Sequence, residues 1–483
     1  MDPIQRLKIA LARRGLASRK ISETTERPLE SWIHGQVRSA FNADRELRKI
    51  VGKSKLDVVE RKDLEAYKLF KFRKLLSYVQ ENSIYYKRSL KEAGVSPGDI
   101  RTIEDISRIP LTEPADLASE PFHFLCVSQS KVMRAYTTSG TTGQLKRLFF
   151  TRDDILHIID SISAALRTVG MSKDDTLQIM FPTIASWDPG YMLDGACKVA
   201  GLKSVIADML DVDEQIRIMK ASNTTMMIGL TSFIYRVTIL ARNKYDLKSL
   251  GIKAIILSAE PLPESMRREI EDAWGCKALS QYGMTEMGLA TTIECKVQDG
   301  LHVNDADFLV EVIDPDTGEH VSEREAGELV FTSFNYQGTP LVRYRSYDLS
   351  CFIDPPCPCG FETIGKVGKI QGRLDMMTKI GMGEKVFPLL FDEAVLSVSG
   401  VVNYQTLIER CGYRDQIRLR VEFIGNKDEA RRKIEEALVL IPEIKSGLDN
   451  DLLELPVVDM LDSGTLDFVP KTQSIVDRRH LYS

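Results

Sequence analysis

Short apolar runs alternate with amphipathic segments through the middle of the chain. Residues 177–181, 226–229 and 254–257 are apolar or β-branched and are bounded by turn residues, which is typical of buried strands. Residues 264–274 place apolar side chains at helical spacing. Alternation of this kind predicts an α/β fold in which helices cover a parallel-rich sheet.

The two ends of the chain follow other patterns. Residues 1–100 are rich in Lys, Arg, Glu and Leu at helical spacing, which predicts helices on the outside of a large domain. Residues 101–374 carry the alternating pattern and are predicted to form the body of that domain. Residues 375–483 predict a small α+β domain, with a strand at 416–423 and a helix at 428–440.

Composition narrows the class of protein. The 483 residues are 43% hydrophobic and 28% charged, as in a soluble globular protein, and a net charge of −5 gives no reason to expect nucleic acid or an anionic membrane as partner. Eight scattered cysteines indicate a reducing cytoplasm rather than a disulfide framework. No apolar run is long enough to cross a bilayer, and the basic segment 7–14 predicts a short amphipathic helix without the apolar core of a secretory signal.

The segment 137–146, Thr-Thr-Ser-Gly-Thr-Thr-Gly-Gln-Leu-Lys, carries the strongest chemical signal. Glycines allow the backbone to approach a ligand, and hydroxyls with free N–H groups donate to phosphate oxygens. The segment is not the phosphate loop of P-loop NTPases, because Lys146 lies three residues after Gly143. An apolar-alternating run before it predicts a strand. A flexible surface turn is the alternative interpretation of the same composition.

Five further segments follow this loop in a fixed order. They are Ser-Ala-Glu-Pro-Leu at 258–262, Gln-Tyr-Gly-Met-Thr-Glu at 281–286, Arg-Tyr-Arg-Ser-Tyr-Asp at 343–348, Gly-Arg-Leu-Asp at 372–375, and Lys471 with Asp-Arg-Arg at 477–479. Together with the loop they resemble the ANL superfamily of adenylate-forming enzymes. The motifs Ala-Glu-Pro-Leu, Arg-Tyr-Arg-x-x-Asp and Val-Phe-Pro are most similar to those of the phenylacetate-CoA ligase branch.

The resemblance implies the ANL adenylate-forming fold, with residues 101–374 binding nucleotide and acid and with a mobile C-terminal domain. It also implies a two-step reaction. A carboxylic acid, aryl or arylalkyl in this branch, attacks the α-phosphorus of ATP with Mg²⁺, and coenzyme A then displaces AMP. An amine, a hydroxyl or a carrier-protein thiol is the alternative acceptor, and a non-catalytic nucleotide-binding regulator is the other alternative. A homodimer is compatible with this branch.

The resemblance also assigns roles to residues. The phosphate loop would supply Thr138, Ser139, Gly140, Thr141, Thr142, Gly143 and Lys146, and the adenine pocket would take Ala259, Glu260, Pro261, Tyr282 and Gly283. Thr285 would contact the α-phosphate, Glu286 would hold Mg²⁺, and Asp348 would accept both ribose hydroxyls. Arg373 would add positive charge near the ribose and phosphate, and Lys471 would bridge the α-phosphate and the attacking carboxylate. For each residue, a core, capping or surface ion-pair role is the alternative interpretation.

Two short segments depart from the family pattern. Asp375 is retained as the hinge about which the small domain rotates, but Met376 follows it in place of a second aspartate. Lys471 lacks the usual glycine before it, and Ser474 replaces an arginine.

Trp187, Gly190 and Tyr191 fall where relatives place the acid pocket. A buried core residue is an equally good interpretation of Trp187.

Three thiols and one imidazole predict a metal site. Cys295 and His302 lie upstream of Cys357 and Cys359, and this donor set suits tetrahedral zinc. Some relatives in the phenylacetate-CoA ligase branch carry a similar pattern. Four protein ligands leave no open position, so the predicted zinc is structural. Cys351 is a possible substitute ligand, and core thiols with a strand-end histidine are the alternative interpretation.

Overall fold

The computed structural model describes residues 25–139, 145–182, 189–289, 291–468 and 475–479. Its helices are α1 Pro28–Ala43, α2 Arg45–Val51, α3 Arg61–Asn82, α4 Ile84–Ala93, α5 Pro114–Ser119, α6 Arg152–Thr168, α7 Pro189–Ala200, α8 Val212–Ser222, α9 Thr231–Ala241, α10 Glu264–Trp274, α11 Pro388–Leu396, α12 Lys427–Val439 and α13 Pro442–Asp449. The predicted basic helix at 7–14 lies outside the described residues.

The strands are numbered in the same way. They are β1 Val132–Ser139, β2 Leu145–Thr151, β3 Thr176–Met180, β4 Lys203–Ile206, β5 Met226–Leu230, β6 Ala254–Ser258, β7 Lys277–Gln281, β8 Thr292–Glu294, β9 Leu301–Val303, β10 Phe308–Ile313, β11 Gly327–Ser333, β12 Tyr344–Ser350, β13 Phe352–Ile353, β14 Lys366–Val367, β15 Gly372–Arg373, β16 Thr378–Ile380, β17 Glu384–Val386, β18 Val401–Cys411, β19 Arg414–Phe423, β20 Val457–Leu461 and β21 Val476–Asp477.

The chain divides into two compact units. Unit 1 comprises Met1–Asp208 and Leu279–Lys369, and unit 2 comprises Met209–Ala278 and Ile370–Ser483. In unit 1, β3 and β4 pair in parallel, while β10, β11 and β12 form an antiparallel ladder. A second antiparallel ladder joins β13, β14, β9 and β8. The first four helices pack a core of buried aromatic and aliphatic side chains, including Trp32, Phe41 and Phe72.

Unit 2 combines a parallel pair with a mixed sheet. β5 and β6 pair in parallel, and every residue of both strands is buried. The longest strands, β18 and β19, are antiparallel to each other, while β20 and β21 pair with them in parallel. The predicted α/β class, with parallel strands, covering helices and a separate α+β sheet near the C-terminus, is confirmed.

Local sequence accounts for many of the boundaries. Met266, Ile270 and Trp274 recur at helical spacing on α10 and are buried, and Gly275 ends the helix in the left-handed conformation. Thr151 and Asp154 form a reciprocal capping box that starts α6. Asp154 also accepts from the backbone N–H groups of Gln337 and Gly338, at 2.7 and 3.0 Å. One buried carboxylate therefore fixes both a helix start and a distant loop.

Candidate active site

A β-hairpin carries the predicted phosphate loop. Strands β1 and β2 pair in antiparallel register, with Thr138 opposite Lys146. Residues 140–144 lie outside the described residues, so the predicted donors Gly140, Thr141, Thr142 and Gly143 cannot be placed, and of Ser139 only the backbone is described. Within the described part of the chain, the buried Oγ1 of Thr138 has no hydrogen-bond partner. A buried hydroxyl in that state is available to a ligand.

A tight turn presents Thr285 and Glu286. Residues 285–287 form one 3₁₀ turn directly after the segment that carries Tyr282. A Cβ built on Gly283 would lie 2.1 Å from the carbonyl oxygen of Leu289, so only glycine fits there. Glu286, three residues further on, is 5% exposed.

Two side chains from distant segments meet at the carboxylate of Glu286. The Nζ of Lys146 lies 2.5 Å from the Oε1 of Glu286. The hydroxyl of Tyr344 donates to the same oxygen at 3.1 Å, and Lys146 Nζ donates to the Tyr344 hydroxyl, also at 3.1 Å. We call Lys146, Glu286 and Tyr344 the charged cluster. It joins the predicted phosphate-loop lysine directly to the predicted magnesium ligand.

A second contact joins the predicted adenine and ribose positions. The hydroxyl of Tyr282 donates to Oδ2 of Asp348 at 2.7 Å. Asp348 is 5% exposed on β12, whereas Tyr282 is half-buried. Strand β12 thus supplies both Asp348 and the Tyr344 of the charged cluster.

The two arginines of the Arg-Tyr-Arg segment form ion pairs within the fold. Arg343 is 2% exposed, and its Nε donates to both oxygens of Glu311 at 3.1 and 3.2 Å. Arg345 pairs with Glu328 at 2.5 Å and with Glu113 at 3.2 Å. Each arginine thus pairs with a buried carboxylate, and such a pair is costly to break because that carboxylate would remain without a partner. Both arginines therefore fix β12 in place.

In unit 2, the predicted nucleotide residues make local contacts. Ala259 adopts a positive φ of 68° between β6 and Glu260. The carboxylate of Glu260 accepts from the backbone N–H and the hydroxyl of Ser232, at 2.8 and 3.0 Å, and so caps the start of α9. The Nε of Arg373 donates to Oδ1 of the predicted hinge residue Asp375 at 2.8 Å.

Several predicted residues cannot be placed or are peripheral. Trp187 and Lys471 lie outside the described residues. Gly190 is buried in the first turn of α7, whereas Tyr191 is 61% exposed. The structure therefore brings together Lys146 with Glu286, Tyr282 with Asp348, and Arg373 with Asp375. The assigned roles of all these residues remain predictions.

The four predicted metal ligands converge. One donor atom from each of Cys295, His302, Cys357 and Cys359 lies within 4.8 Å of the others, although their elements are up to sixty-four positions apart in the chain. Cys295 Sγ is 3.9 Å from Cys357 Sγ, and Cys359 Sγ is 3.3 Å from His302 Nε2. We call these four residues the thiol–imidazole cluster. Cys351 is not part of it.

The cluster fits a metal ion by its chemistry. His302 is completely buried, and its Nδ1 has no hydrogen-bond partner among the described residues. The Cys359 thiol and the nearby imidazole lower the pKa of Cys295, while burial opposes that shift. Three sulfur donors and one nitrogen donor at this spacing match a closed tetrahedral zinc set.

Helix α1 holds the loop that carries two of these thiols. Oε1 of Glu30, a residue only 1% exposed, accepts from the N–H groups of Glu362 and Thr363, at 2.8 and 2.7 Å. It also accepts from the Thr363 hydroxyl at 2.8 Å, and His34 Nε2 contacts that hydroxyl at 2.8 Å. Arg27 donates to the carbonyl of Gly360 at 3.0 Å. The N-terminal helix therefore sets the position of the cysteine loop.

Sequence reasoning did not assign Tyr344 or Glu30 to either cluster. Tyr344 lies between the two arginines of the Arg-Tyr-Arg segment, so the sequence indicates its neighbourhood but not its contacts. Glu30 gave no signal, because it is one of many acidic residues in a charged helical region. A carboxylate near the start of a helix is ordinarily read as a favourable dipole contact.

Comparison with known proteins identifies the family. Residues 45–336 match the family model described as AMP-binding enzyme. The chain belongs to this family. A phenylacetate-coenzyme A ligase from Thermus thermophilus is 30% identical to this AMP-binding enzyme over 372 residues, covering 76% of this chain and 83% of that protein. The phenylacetate-coenzyme A ligase of Escherichia coli is 27% identical, covering 77% and 86% of the two chains.

Solved structures show the same fold. The structure of 2-hydroxyisobutyryl-CoA ligase in the postadenylation state, in complex with 2-HIB-AMP, has a TM-score of 0.76 at 21% identity and covers 87% of this chain and 90% of that one. The predicted resemblance to the phenylacetate-CoA ligase branch is confirmed, as is the enzyme class, an AMP-forming acid–thiol ligase.

Among the described residues, no helix has the length and apolar character needed to cross a bilayer.

Proposed function

We propose that this AMP-binding enzyme adenylates an aryl or arylalkyl carboxylic acid with ATP and Mg²⁺ and transfers the acyl group to coenzyme A. The observation that carries the proposal is the charged cluster. A half-buried lysine and a buried carboxylate meet beside a hydroxyl-rich hairpin, so one would neutralise phosphate oxygens and the other would hold a hard cation. The curated relatives named phenylacetate-coenzyme A ligase support the acid class and the acceptor.

Each step follows from the proposed residue roles. Carboxylates are weak nucleophiles toward a polyanion, so the site must lower the negative charge on the triphosphate and hold the reactants in line. Lys146 and the hydroxyls of its hairpin would take the β- and γ-phosphates, and Glu286 would hold Mg²⁺. Asp348 would bind the ribose, while Arg373 and Lys471 would add positive charge at the α-phosphate. The acyl-adenylate then loses AMP to the attacking thiolate of coenzyme A.

Pyrophosphate release tests the proposal. The protein is incubated with ATP, Mg²⁺ and a panel that pairs aryl and arylalkyl acids with short aliphatic and hydroxy acids. We expect release only in the presence of an aryl or arylalkyl acid, and AMP formation that depends on coenzyme A. Release with aliphatic acids alone would refute the acid class. AMP formation that does not respond to coenzyme A would favour an amine, hydroxyl or carrier-protein acceptor. No exchange with any acid would favour a non-catalytic nucleotide binder.

We also propose that the thiol–imidazole cluster binds one structural zinc ion. Its four donors would fill the tetrahedral coordination of zinc and leave no position for substrate, so the ion would stabilise the fold without entering the reaction. Elemental analysis of the purified protein should find about one zinc per chain. Protein free of zinc that unfolds at the same temperature before and after zinc addition would contradict this site.

A further inference from the structure

Tyr344 occupies a position that its neighbours define closely. The residue is 1% exposed, and its hydroxyl contacts both Lys146 and Glu286 at 3.1 Å. A tyrosine hydroxyl donates one hydrogen bond and accepts others. Here it donates to the carboxylate and accepts from the ammonium group, so both capacities are used between two ionised groups.

The surrounding backbone prevents Tyr344 from moving away. Thr112 brackets it on the neighbouring segment: the N–H of Thr112 donates to the carbonyl of Arg343 at 2.8 Å, and the N–H of Arg345 donates to the carbonyl of Thr112 at 3.1 Å. The flanking arginines are anchored by the buried carboxylates of Glu311 and Glu328. A ring held in this way presents its hydroxyl at a fixed point, which is what pre-organisation requires.

The two oxygens of the Glu286 carboxylate have different contacts. Among the described residues, both Lys146 and Tyr344 contact Glu286 through Oε1. Oε2 is therefore the oxygen that faces fewer competitors for a hard cation. Once Lys146 contacts the phosphates of ATP, the Tyr344 hydroxyl would remain as a donor to Oε1 and would keep the carboxylate from rotating.

We propose that Tyr344 is a positioning residue for adenylation, which rests on the function proposed above. Its hydroxyl holds Lys146 and Glu286 at the separation needed for one to reach the triphosphate and the other to bind Mg²⁺. The arginines on either side act only by fixing the tyrosine. The thioester-forming step involves neither the β- and γ-phosphates nor this Mg²⁺, so it does not depend on the hydroxyl.

Tyr344→Phe tests the proposal, because it removes the hydroxyl and keeps the buried ring. We expect the Mg²⁺ concentration for half-maximal ATP–pyrophosphate exchange to rise about ten-fold or more, as for the loss of a hydrogen bond to a charged group. Thioester formation from supplied acyl-adenylate and coenzyme A should stay within about two-fold of the unmodified enzyme. Tyr67→Phe is the matched control, since it removes another buried hydroxyl of unit 1, one that donates to the Ala306 carbonyl at 3.0 Å.

The outcomes separate the two proposals. If the unmodified enzyme shows no exchange with any acid, the proposed function fails. If it shows exchange and Tyr344→Phe has the same Mg²⁺ requirement, the role of Tyr344 fails alone. Equal loss in both half-reactions, or an equal effect of Tyr67→Phe, would show a merely structural role and would also overturn the inference. Should Tyr344→Phe lose its cooperative unfolding transition, Tyr344→Met replaces it, because methionine packs adaptably and also lacks the hydroxyl.

A double-mutant cycle gives the sharpest version of the test. Lys146→Met and Tyr344→Phe are measured singly and together by equilibrium binding of Mg²⁺–ATP. Groups in direct contact give non-additive effects. We expect Tyr344→Phe to weaken binding by a smaller factor in the Lys146→Met background than in the unmodified enzyme, because only its contact with Glu286 is then left to lose. Fully additive losses would overturn the inference that the hydroxyl positions Lys146.

Discussion

The charged cluster and the thiol–imidazole cluster both lie in unit 1, and both are assembled from segments far apart in the chain. They differ in how their donors are satisfied. In the charged cluster each group already has an oppositely charged or hydroxyl partner, and an entering nucleotide with Mg²⁺ can exchange those partners. In the thiol–imidazole cluster the donors face one another, and Nδ1 of His302 has no partner within the described residues. Partners that can be exchanged suit a reacting site, whereas a closed donor set suits a permanent ion.

Glu286→Gln should have the strongest effect on activity, and it tests whether the charged cluster is the reacting site. The amide cannot neutralise Mg²⁺, so we expect ATP–pyrophosphate exchange to fall about 100- to 1,000-fold, the range seen when a group that stabilises developing charge is removed. Zinc content should not change. Glu362→Gln, at a carboxylate whose side chain is 70% exposed, is the control. Exchange within a few-fold of the unmodified enzyme would contradict the assigned role of Glu286.

Cys357→Ser tests whether the thiol–imidazole cluster holds a structural ion. Serine is a poor zinc ligand, so the ion should be lost and the unfolding temperature should fall by about 5 °C or more, corresponding to about 2 kcal/mol for a unit of this size. Exchange activity per folded molecule should be retained. Cys411→Ser is the control, since Cys411 is an exposed free thiol. Loss of exchange activity while zinc is still bound would show that the cysteine loop serves the reaction.

Glu30→Gln removes hydrogen bonds that hold the cysteine loop, and it leaves the four side chains of the thiol–imidazole cluster unchanged. The carboxylate serves three donors of residues 362 and 363, and a glutamine places an amide group among them. We expect about 1–3 kcal/mol of lost stability, the cost of leaving buried groups unsatisfied. Zinc release to a chelator should become faster, measured with a colorimetric zinc indicator. An unchanged release rate would indicate that α1 does not position the loop.

His157→Gln should have the weakest effect of these substitutions, and it tests the pair that half-buried His157 forms with buried Asp307, outside both clusters. His157 Nε2 lies 2.5 Å from Oδ1 of Asp307. Burial disfavours the charged imidazole, yet the Asp307 carboxylate outweighs it and raises the pKa of His157 above 6.5. Burial likewise opposes ionisation of Asp307, but His157 holds the pKa of that carboxyl below 3.8.

The sign of the pH effect follows from these two shifts. The contribution of His157 to the free energy of unfolding is complete below pH 6.5 and is lost as pH rises through the raised value. The contribution of Asp307 is present above pH 3.8 and is lost as pH falls through the lowered value. Chemical denaturation across this range should show a flatter alkaline limb for His157→Gln. An identical profile would mean that the pair does not couple to folding.

Much of the fold was predictable from local pattern. The helix at Glu264–Trp274 was predicted at its observed bounds, because its apolar spacing and its terminal glycine agree. The strand and helix predicted at 416–423 and 428–440 also appear, within two residues of the observed ends. Such elements depend on residues close together in sequence. The predicted domain boundaries remain predictions.

The partners of the site residues were less predictable. The sequence indicated Lys146 and Glu286 separately, but their contact depends on how a hairpin and a 3₁₀ turn pack, which no local pattern encodes. The interpretation of Arg343 and Arg345 as ion-pair formers was open, and their partners Glu311 and Glu328 carry no motif of their own. Long-range pairs of this kind are set by the register of β10, β11 and β12 rather than by residue type.

The crowding at Gly283 limits how this enzyme can be re-engineered. Because a single methyl group there would strike the carbonyl of Leu289, the turn that delivers Glu286 tolerates no enlargement at that point. Libraries that aim to broaden the range of acids should leave position 283 fixed and place their diversity on loops with open space. A variant selected for a new acid while carrying any larger residue at 283 would have had to rebuild the turn as well.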